Sequence, residues 1–352
     1  MSTVLVTGGA GFIGSNFVRF LAQTEDTQQL KSRPAFELKP SKIVVLDLLT
    51  YAGNLENIND LIKAGKVTFI KGDIKDKPLV SKVFASEKPD YVFHFAAESH
   101  VDRSILSADD FVLTNVVGTQ NLLDAALEHR VKRFVHISTD EVYGSLGKEG
   151  EFKETTPLDP TSPYAASKAA SDLLALAMFK THGLNLVITR CTNNYGPYQF
   201  PEKFIPLFVT NALEGKELPL YGDGRNVRSW LYVLDHCEAL CAAALRGRSG
   251  EVYNIGPGKE GEYENIEVAK MILDILGKPY SLITPVKDRL AHDRRYAVDI
   301  RKISEELGWS PRVSFKEGLQ STVNWYVENK EWWEKVKNKE YLEYYEKNYA
   351  NR

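Results

Sequence analysis

The sequence of 352 residues predicts an α/β fold with a doubly wound parallel sheet, followed by a smaller second region. Three observations support this prediction. Short segments rich in Val, Ile and Phe lack two-residue alternation, as expected of strands that are covered on both faces. Helical patterns separate these segments in strict alternation, which implies βαβ units with right-handed crossovers. A glycine-rich turn joins the first strand to the first helix.

The predicted elements of the first half alternate in order along the chain. We predict buried strands at residues 4–7, 42–47, 67–71, 91–95, 133–137 and 185–189. We predict helices at residues 12–23, 78–86, 107–129 and 162–182. The polar residues 25–40 should form an exposed insertion between the first helix and the second strand.

The organisation changes after about residue 190. Helical patterns persist at residues 203–213, 234–245, 266–276 and 314–329, whereas strand patterns become scattered. A prior of ~150 residues per domain gives about two domains. We therefore predict one domain at residues 1–190 and a mixed α/β domain at residues 191–352, with segments that can cross between them. The tail from Trp325 to Arg352 should form a docked amphipathic helix.

The composition excludes several classes of protein. The 44 basic and 47 acidic residues leave a net charge of −3, which disfavours a nucleic-acid surface. No apolar run approaches the ~20 residues of a membrane-spanning helix, and the N-terminus lacks the layout of a signal peptide. Three cysteines, Cys191, Cys237 and Cys241, do not form a disulfide framework. We expect a soluble cytoplasmic protein.

The glycine-rich turn predicts a dinucleotide site. Gly8, Gly11 and Gly14 follow the first strand and open the first helix, so the backbone can approach a pyrophosphate at the helix N-terminus. Asp47 ends the second strand, where an acid would accept hydrogen bonds from the adenosine ribose. This acid favours NAD over NADP, because it would repel the extra phosphate. The alternative is that Asp47 only caps a turn.

Polar residues also follow the later strands, at the sheet edge where an open α/β fold binds its ligand. Thr139, Asp140 and Glu141 follow the fifth strand. Tyr164 and Lys168 lie four residues apart and share one face of a helix. The nearby ammonium should lower the pKa of the tyrosine and make it a usable base. The alternatives are a solvated helix face and a pair of turn-capping carboxylates.

These residues, taken together, resemble the extended short-chain dehydrogenase/reductase family, and within it the nucleotide-sugar 4,6-dehydratases. The resemblance covers nearly the whole chain and rests on residues 7–14, 49–54, 96–104, 138–144, 162–168, 192–203, 228–233 and 289–296. The sequence departs from the family pattern at Leu48, where lysine is usual. The resemblance implies a Rossmann-type NAD-binding domain at residues 1–190 and a nucleotide-sugar-binding domain at residues 191–352.

The resemblance also implies a reaction, the dehydration of dTDP-glucose to its 4-keto-6-deoxy derivative with NAD recycled. Tyr164 would take the proton of the carbon 4 hydroxyl, supported by Lys168 and Thr139. Glu141 would remove the carbon 5 proton while Asp140 protonates the departing carbon 6 hydroxyl. Two adjacent carboxyl groups must then hold opposite protonation states.

The resemblance further assigns ligand contacts and an assembly. It places these residues against NAD: Gly8, Gly11, Phe12, Ile13, Gly14, Asp47, Thr50, Asp73, Ile74, Ala96, Ala97, Thr114, Tyr164, Lys168 and Asn194. It places these residues against the substrate: Ser99, Thr139, Glu141, Asn193, Lys203, Phe204, Pro219, Tyr221, Arg228, Asn265, Arg289 and His292. The helices at 107–129 and 162–182 resemble a pair that dimerises in this family, which implies a homodimer through a four-helix bundle.

Three alternatives remain open at this point. The protein could be a 4-epimerase or decarboxylase of the same family, which needs Tyr164, Lys168 and Thr139 but no acid and base at carbons 5 and 6. It could dehydrate a sugar linked to a base other than thymine. It could also be a silent NAD-binding regulator, against which the five predicted catalytic residues argue. The histidines show no metal-ligand spacing, so we expect no metal site.

Overall fold

A parallel sheet of seven strands forms the centre of the protein in the computed structural model, which describes residues 2–24, 36–147, 149–288 and 294–337. The strands are β1 (Thr3–Thr7), β2 (Lys42–Asp47), β3 (Val67–Lys71), β4 (Tyr91–His94), β5 (Arg133–Thr139), β6 (Leu186–Cys191) and β10 (Val252–Ile255). Their order is β3-β2-β1-β4-β5-β6-β10, and every neighbouring pair is parallel. The predicted doubly wound parallel sheet is confirmed.

Both faces of this sheet are buried, which explains the missing hydrophobic alternation. Val4 and Val6 of β1 point into one apolar core, and Leu5 between them points into the other. All three side chains are fully buried. Neighbouring strands β1 and β4 mark the point where the strand order reverses, so a crevice opens at their carboxyl ends.

Helices cover both faces of the sheet in the first half. They are α1 (Phe12–Leu21), α2 (Asn59–Lys63), α3 (Lys77–Glu87), α4 (Val101–Leu106), α5 (Asp109–Val112), α6 (Thr119–Glu128) and α7 (Pro163–His182). Helix α7 begins cleanly because the Ser162 hydroxyl accepts a hydrogen bond from the Ala165 N–H and Pro163 occupies the first turn.

The helix predicted at residues 107–129 is continuous from Asp109 to Glu128, and only its first two residues and its last lie outside it. Ser107 adopts an extended backbone that ends α4, and a π-helical turn at Leu113–Gly118 joins α5 to α6. The Asn115 amide exchanges two hydrogen bonds of 2.9 Å with the main chain of Glu98, one with the N–H and one with the carbonyl. Asn115 lies in the π-helical turn, so this contact accompanies the wider winding of the helix. The apolar periodicity of the sequence could not predict the π-helical turn.

The second half adds small sheets and further helices. Its elements are β7 (Asn193–Tyr195), α8 (Phe204–Glu214), β8 (Leu218–Tyr221), β9 (Val227–Tyr232), α9 (Val233–Arg246), β11 (Glu262–Glu264), α10 (Asn265–Leu276), β12 (Ile283–Val286), α11 (Arg301–Leu307), α12 (Phe315–Glu328) and α13 (Lys330–Val336). Strands β7, β9 and β11 form one sheet, and β8 and β12 form another. Strand β10 joins the central sheet although it lies beyond residue 190, so the chain crosses back between the two regions.

The predicted insertion and tail are only partly described. Residues 25–35 and 338–352 lie outside the described residues. At the end of the insertion, Phe36 and Leu38 are buried in the core, so the expectation of exposure is wrong there. The described start of the tail is helical through α12 and α13. Across residues 2–24, 36–147, 149–288 and 294–337, every helix is too short or too polar to cross a membrane.

Candidate active site

The turn between β1 and α1 has the shape that a bound diphosphate requires. Gly8 has a positive φ of +70°, and a Cβ there would lie 2.6 Å from the Ala96 nitrogen. A Cβ on Gly14 would collide with the Gly8 carbonyl oxygen. At Gly11, by contrast, a Cβ would meet nothing closer than 3.4 Å. Gly8 and Gly14 are therefore required by the close packing of the backbone, whereas Gly11 leaves the helix N-terminus open to an anion.

Asp47 closes this turn from the neighbouring strand. One carboxylate oxygen accepts a hydrogen bond from the Ala10 N–H at 2.9 Å, and the other accepts one from the Leu49 N–H at 2.8 Å. Burial raises the pKa of Asp47 despite these two bonds. Asp47 thus caps the turn, as the alternative interpretation has it. The remaining lone pairs of its carboxylate oxygens are available to a ribose. Leu48, at the unusual position, also lines the cleft.

A cleft of about 470 Å³ opens at the carboxyl ends of the central strands, and the structure brings the predicted cofactor residues together around it. These residues are Gly8, Gly11, Phe12, Ile13, Gly14, Asp47, Thr50, Asp73, Ile74, Ala96, Ala97, Thr114, Tyr164, Lys168 and Asn194. The glycine turn at one end and the polar strand ends beside it fit a dinucleotide such as NAD.

Thr139, Asp140 and Glu141 lie in the same cleft, where β5 ends and a 3₁₀ turn begins. The Thr139 hydroxyl accepts a hydrogen bond from the Glu141 N–H at 3.3 Å and lies 3.3 Å from a carboxyl oxygen of Asp140. Asp140 is 3% exposed. Burial, followed by the charge of Glu141, raises the pKa of Asp140 to about 8, while the charge of Arg228 lowers it. Asp140 therefore holds a proton at neutral pH and can act as an acid.

Tyr164 and Lys168 enter the cleft from α7. Burial, followed by the charge of Glu141, raises the pKa of Tyr164 well above its usual value. The expected lowering of the Tyr164 pKa is therefore wrong in this structure, because burial and the neighbouring carboxylates raise it. The Lys168 ammonium donates instead to the Ile137 carbonyl at 2.8 Å, and burial lowers its pKa to about 8.

A buried polar network lies beneath the cleft. His94 lies between the hydroxyls of Thr7 and Thr119, at 2.8 and 2.9 Å. His136 lies 3.3 Å from Asp172, which also pairs with Arg190 at 2.8 Å. Burial lowers the pKa of both histidines. Within the part of the chain that the structure describes, no three His, Cys, Asp or Glu side chains are placed to hold a metal ion.

The structure brings only some of the predicted substrate residues to the cleft. Ser99, Asn193 and Lys203 line it beside Thr139 and Glu141. Five others lie on elements outside its lining: Phe204, Pro219, Tyr221, Arg228 and Asn265. The Arg228 guanidinium stacks over the Tyr296 ring at 4.8 Å, and its charge still acts on Asp140. Arg289 and His292 lie outside the described residues.

Sequence reasoning missed several residues that line the cleft, above all Glu202. Its side chain is 1% exposed and lies 3.6 Å from His100 and 3.8 Å from Arg103. Burial raises its pKa. The Arg103 guanidinium in turn lies 3.7 Å from the centre of the Tyr51 ring, and Tyr51 also lines the cleft. Glu202 could have been found from the sequence, because it stands next to Lys203 and inside the segment 192–203.

Comparisons with known proteins give a consistent picture. The sequence model of the GDP-mannose 4,6-dehydratase family matches residues 5–322. The dTDP-glucose 4,6-dehydratase of Streptomyces niveus is 53% identical over 334 residues, which cover 95% of each chain. The enzyme of the same name from Neisseria meningitidis is 49% identical and covers 97% of this chain and 98% of its own.

Solved structures agree. The dTDP-glucose 4,6-dehydratase DesIV of Streptomyces venezuelae, with NAD and TYD bound, is 51% identical, with a TM-score of 0.87 and coverage of 95% of this chain and 99% of its own. A UDP-glucose 4-epimerase from Thermotoga maritima, with UDP-glucose, is 31% identical, with a TM-score of 0.82 and coverage of 93% and 99%.

Proposed function

The chain belongs to the GDP-mannose 4,6-dehydratase family, and on that premise we propose that it is an NAD-dependent hydro-lyase that dehydrates dTDP-glucose to dTDP-4-keto-6-deoxyglucose. The observation that carries the proposal is the pair Asp140 and Glu141 in one cleft with Thr139, Tyr164 and Lys168. Asp140 holds a proton at neutral pH because its pKa is about 8. An elimination needs such an acid beside a base.

The residues of this chain would divide the work among proton transfers at the carbon 4 hydroxyl, at carbon 5 and at the carbon 6 hydroxyl. Tyr164 acts as the phenolate and takes the proton of the carbon 4 hydroxyl, while Thr139 donates a hydrogen bond to the same oxygen. The Lys168 ammonium stabilises that phenolate, and the positive charge of NAD, when bound, would favour it further against the burial that raises the pKa of Tyr164.

NAD, when bound, supplies the redox chemistry between carbon 4 and carbon 6. The ketone at carbon 4 acidifies the carbon 5 proton, because the resulting carbanion is delocalised as an enolate. Glu141 removes that proton, and Asp140 protonates the carbon 6 hydroxyl, which leaves as water. When carbon 6 receives its hydride, Glu141 returns a proton to carbon 5, which completes the 4-keto-6-deoxy product and restores the carboxylate of Glu141.

The same cleft argues against a 4-epimerase. An epimerase needs the tyrosine, the lysine and the hydroxyl of Thr139, but it has no use for a protonated Asp140 beside Glu141. The relatives at 49–53% identity are dehydratases by name, whereas the epimerase structure is 31% identical. A silent NAD-binding protein would have no need for all five groups.

Three further parts of the proposal concern assembly, the roles of the two domains and location. Side chains on α4 through α7 expose an apolar face, with Leu106 at 60%, Leu113 at 46% and Leu173 at 58%. Such a patch supports a homodimer through these helices.

We also propose that residues 1–190 hold NAD, that residues 191–352 hold the nucleotide sugar, and that the protein works in the cytoplasm.

A direct assay tests the proposed activity. The purified protein is incubated with dTDP-glucose, and the alkali-induced absorbance of a 4-keto sugar is followed. Parallel competition by dTDP, UDP, CDP and GDP identifies the preferred base. We expect ketone formation and the strongest inhibition by dTDP. Conversion to a 4-epimer without any ketone product would refute the proposal.

A further inference from the structure

Two hydrogen bonds connect the C-terminal helix α13 to the glycine turn. The indole N–H of Trp332 donates to the Asn57 side-chain oxygen at 2.9 Å. The Asn57 side-chain nitrogen donates in turn to the Ala10 carbonyl at 2.9 Å. Ala10 lies between Gly8 and Gly11 in the turn assigned to the diphosphate. Trp332, near the end of the described residues, is thus linked to the glycine turn through the Asn57 side chain.

The chemistry of these groups fixes the direction of the connection. An indole nitrogen can only donate, and a main-chain carbonyl can only accept. The Asn57 amide must therefore turn its oxygen to Trp332 and its nitrogen to Ala10, because the reverse orientation would oppose two donors and two acceptors. Asn57 is 1% exposed, so water cannot replace either partner easily. The Arg19 guanidinium also donates a hydrogen bond to the main-chain carbonyl of Asn57 at 3.1 Å.

The same C-terminal helices also hold the opposite wall of the cleft. The Tyr326 hydroxyl of α12 donates to the Gln199 carbonyl, and the Gln199 amide donates to the Asn194 carbonyl at 3.0 Å. The Tyr198 ring lies 4.7 Å from the Trp325 ring and 5.9 Å from the Trp332 ring, between ring centres. Asn194 and Gln199 line the cleft. Helices α12 and α13 therefore contact the loop opposite directly and reach the glycine turn through Asn57.

We propose that α12 and α13 act as a brace that retains NAD, with Trp332 and Asn57 as positioning residues for the glycine turn. The inference rests on the proposed binding of NAD by that turn. The Ala10 N–H donates to Asp47 at 2.9 Å, and the Ala10 carbonyl also accepts a hydrogen bond from the Asn54 N–H at 3.0 Å. The Asn57 contact is therefore one of two hydrogen bonds that hold the Ala10 carbonyl, and its release would loosen this side of the turn.

The test compares three variants with the unchanged protein. Trp332→Phe keeps an aromatic ring but removes the N–H donor. Trp325→Phe is the matched control, since it is similarly half-buried and its indole N–H makes no hydrogen bond to the described residues. Asn57→Asp keeps the acceptor for Trp332 but places an oxygen against the Ala10 carbonyl oxygen. Each protein is purified without added NAD, and the exchange of bound NAD for labelled NAD is timed.

We expect Trp332→Phe to release NAD about tenfold faster, the factor that corresponds to ~1.4 kcal/mol, because a buried acceptor loses its partner. Asn57→Asp should release it at least as fast, and Trp325→Phe at the unchanged rate. Melting curves with saturating NAD show whether each variant is folded. Excess NAD should restore turnover of Trp332→Phe to within about twofold.

Two results would overturn the brace. One is a folded Trp332→Phe or Asn57→Asp variant that releases NAD at the unchanged rate. The other is an equal acceleration in Trp325→Phe, which would assign the effect to ring packing. If Trp332→Phe does not fold, Asn57→Asp decides the question alone. If the unchanged protein retains no NAD at all, the proposed function fails instead, so the two failures can be told apart.

Discussion

The Lys168 ammonium donates a hydrogen bond to the main-chain carbonyl of Ile137, 2.8 Å away. This contact ties α7 to β5 just before the strand reaches Thr139 and Asp140, so the two halves of the proposed catalytic machinery are held in fixed relation. The contact also keeps a cation in a fully buried position, where burial lowers its pKa to about 8 while the charge of Asp172 raises it.

Activity should therefore fall at alkaline pH. Lys168 and Asp140 both have a pKa of about 8 in the free protein, and both must hold their protons, one to support Tyr164 and the other to protonate the leaving hydroxyl. We expect kcat/KM for dTDP-glucose to decline about tenfold or more per pH unit above pH ~8. Initial rates of ketone formation across the pH range measure this. A profile that stays flat to pH ~10 would contradict both assignments.

Asp140→Asn should stabilise the protein while it abolishes elimination. The native pKa of Asp140 is about 8 and the unfolded value is near 3.8, so the folded protein retains a proton that the unfolded chain has released between these values. The free energy of unfolding therefore falls as pH rises from ~4 to ~8, and asparagine removes this loss. We expect a gain on the order of 2–5 kcal/mol at pH ~8, measured by urea unfolding.

Asp235→Asn is the matched control for that experiment. Asp235 is also a buried carboxyl, and burial raises its pKa to about 6. Its two oxygens, however, accept hydrogen bonds from the Arg312 and Val313 N–H groups at 3.0 and 2.9 Å. An amide cannot accept both, so we expect a loss of ~1–3 kcal/mol. A gain of equal size in both variants would show that Asp140 is not special.

Glu141→Gln should separate oxidation from elimination. The variant keeps Tyr164, Lys168 and Thr139, so carbon 4 can still be oxidised, but no base remains for the carbon 5 proton. We expect the absorbance of reduced nicotinamide to appear on mixing with dTDP-glucose, and product release to fall ~10²–10⁴-fold. Tyr164→Phe should show neither signal. Normal release of the 4-keto-6-deoxy product by Glu141→Gln would remove Glu141 from its role.

A charge on the exposed apolar face should break the proposed dimer. Val117 lies in the π-helical turn and is 43% exposed, and Val327 on α12 is 50% exposed but lies away from the helices proposed to dimerise. We expect Val117→Asp to shift the mass measured by light scattering from two chains to one, and Val327→Asp to leave it unchanged. A single-chain mass for the unchanged protein would refute the dimer itself.

Local pattern was enough to predict most of the fold. The six strands of the first half could be recognised because each is short and rich in apolar residues, including the edge strand β3, in which Thr68 and Lys71 are exposed. The glycine turn marks the start of α1. The π-helical turn that begins at Leu113 could not be predicted, since the Asn115 side chain bonds to the main chain of Glu98 in an earlier loop. The burial of Phe36 and Leu38 was not predicted, because the polar residues that precede them indicated an exposed segment.

The site was predictable to the extent that its residues follow strand ends or share a helix face. The protonation states were not, because they depend on burial and on charges from other elements. The sequence pattern indicated a lowered pKa for Tyr164, but burial and, after it, the charge of Glu141 raise that pKa. Glu202 escaped notice because its partners, His100 and Arg103, come from a different part of the chain.

The central claim is that one bound NAD carries hydrogen from carbon 4 to carbon 6 of the same sugar while Asp140 and Glu141 remove water between them. The most direct measurement uses dTDP-glucose with deuterium at carbon 4 and locates the label in the product by NMR. We expect deuterium in the new carbon 6 methyl group of a 4-keto sugar. Label that is lost to solvent, or retained at carbon 4 of an epimer, would contradict it.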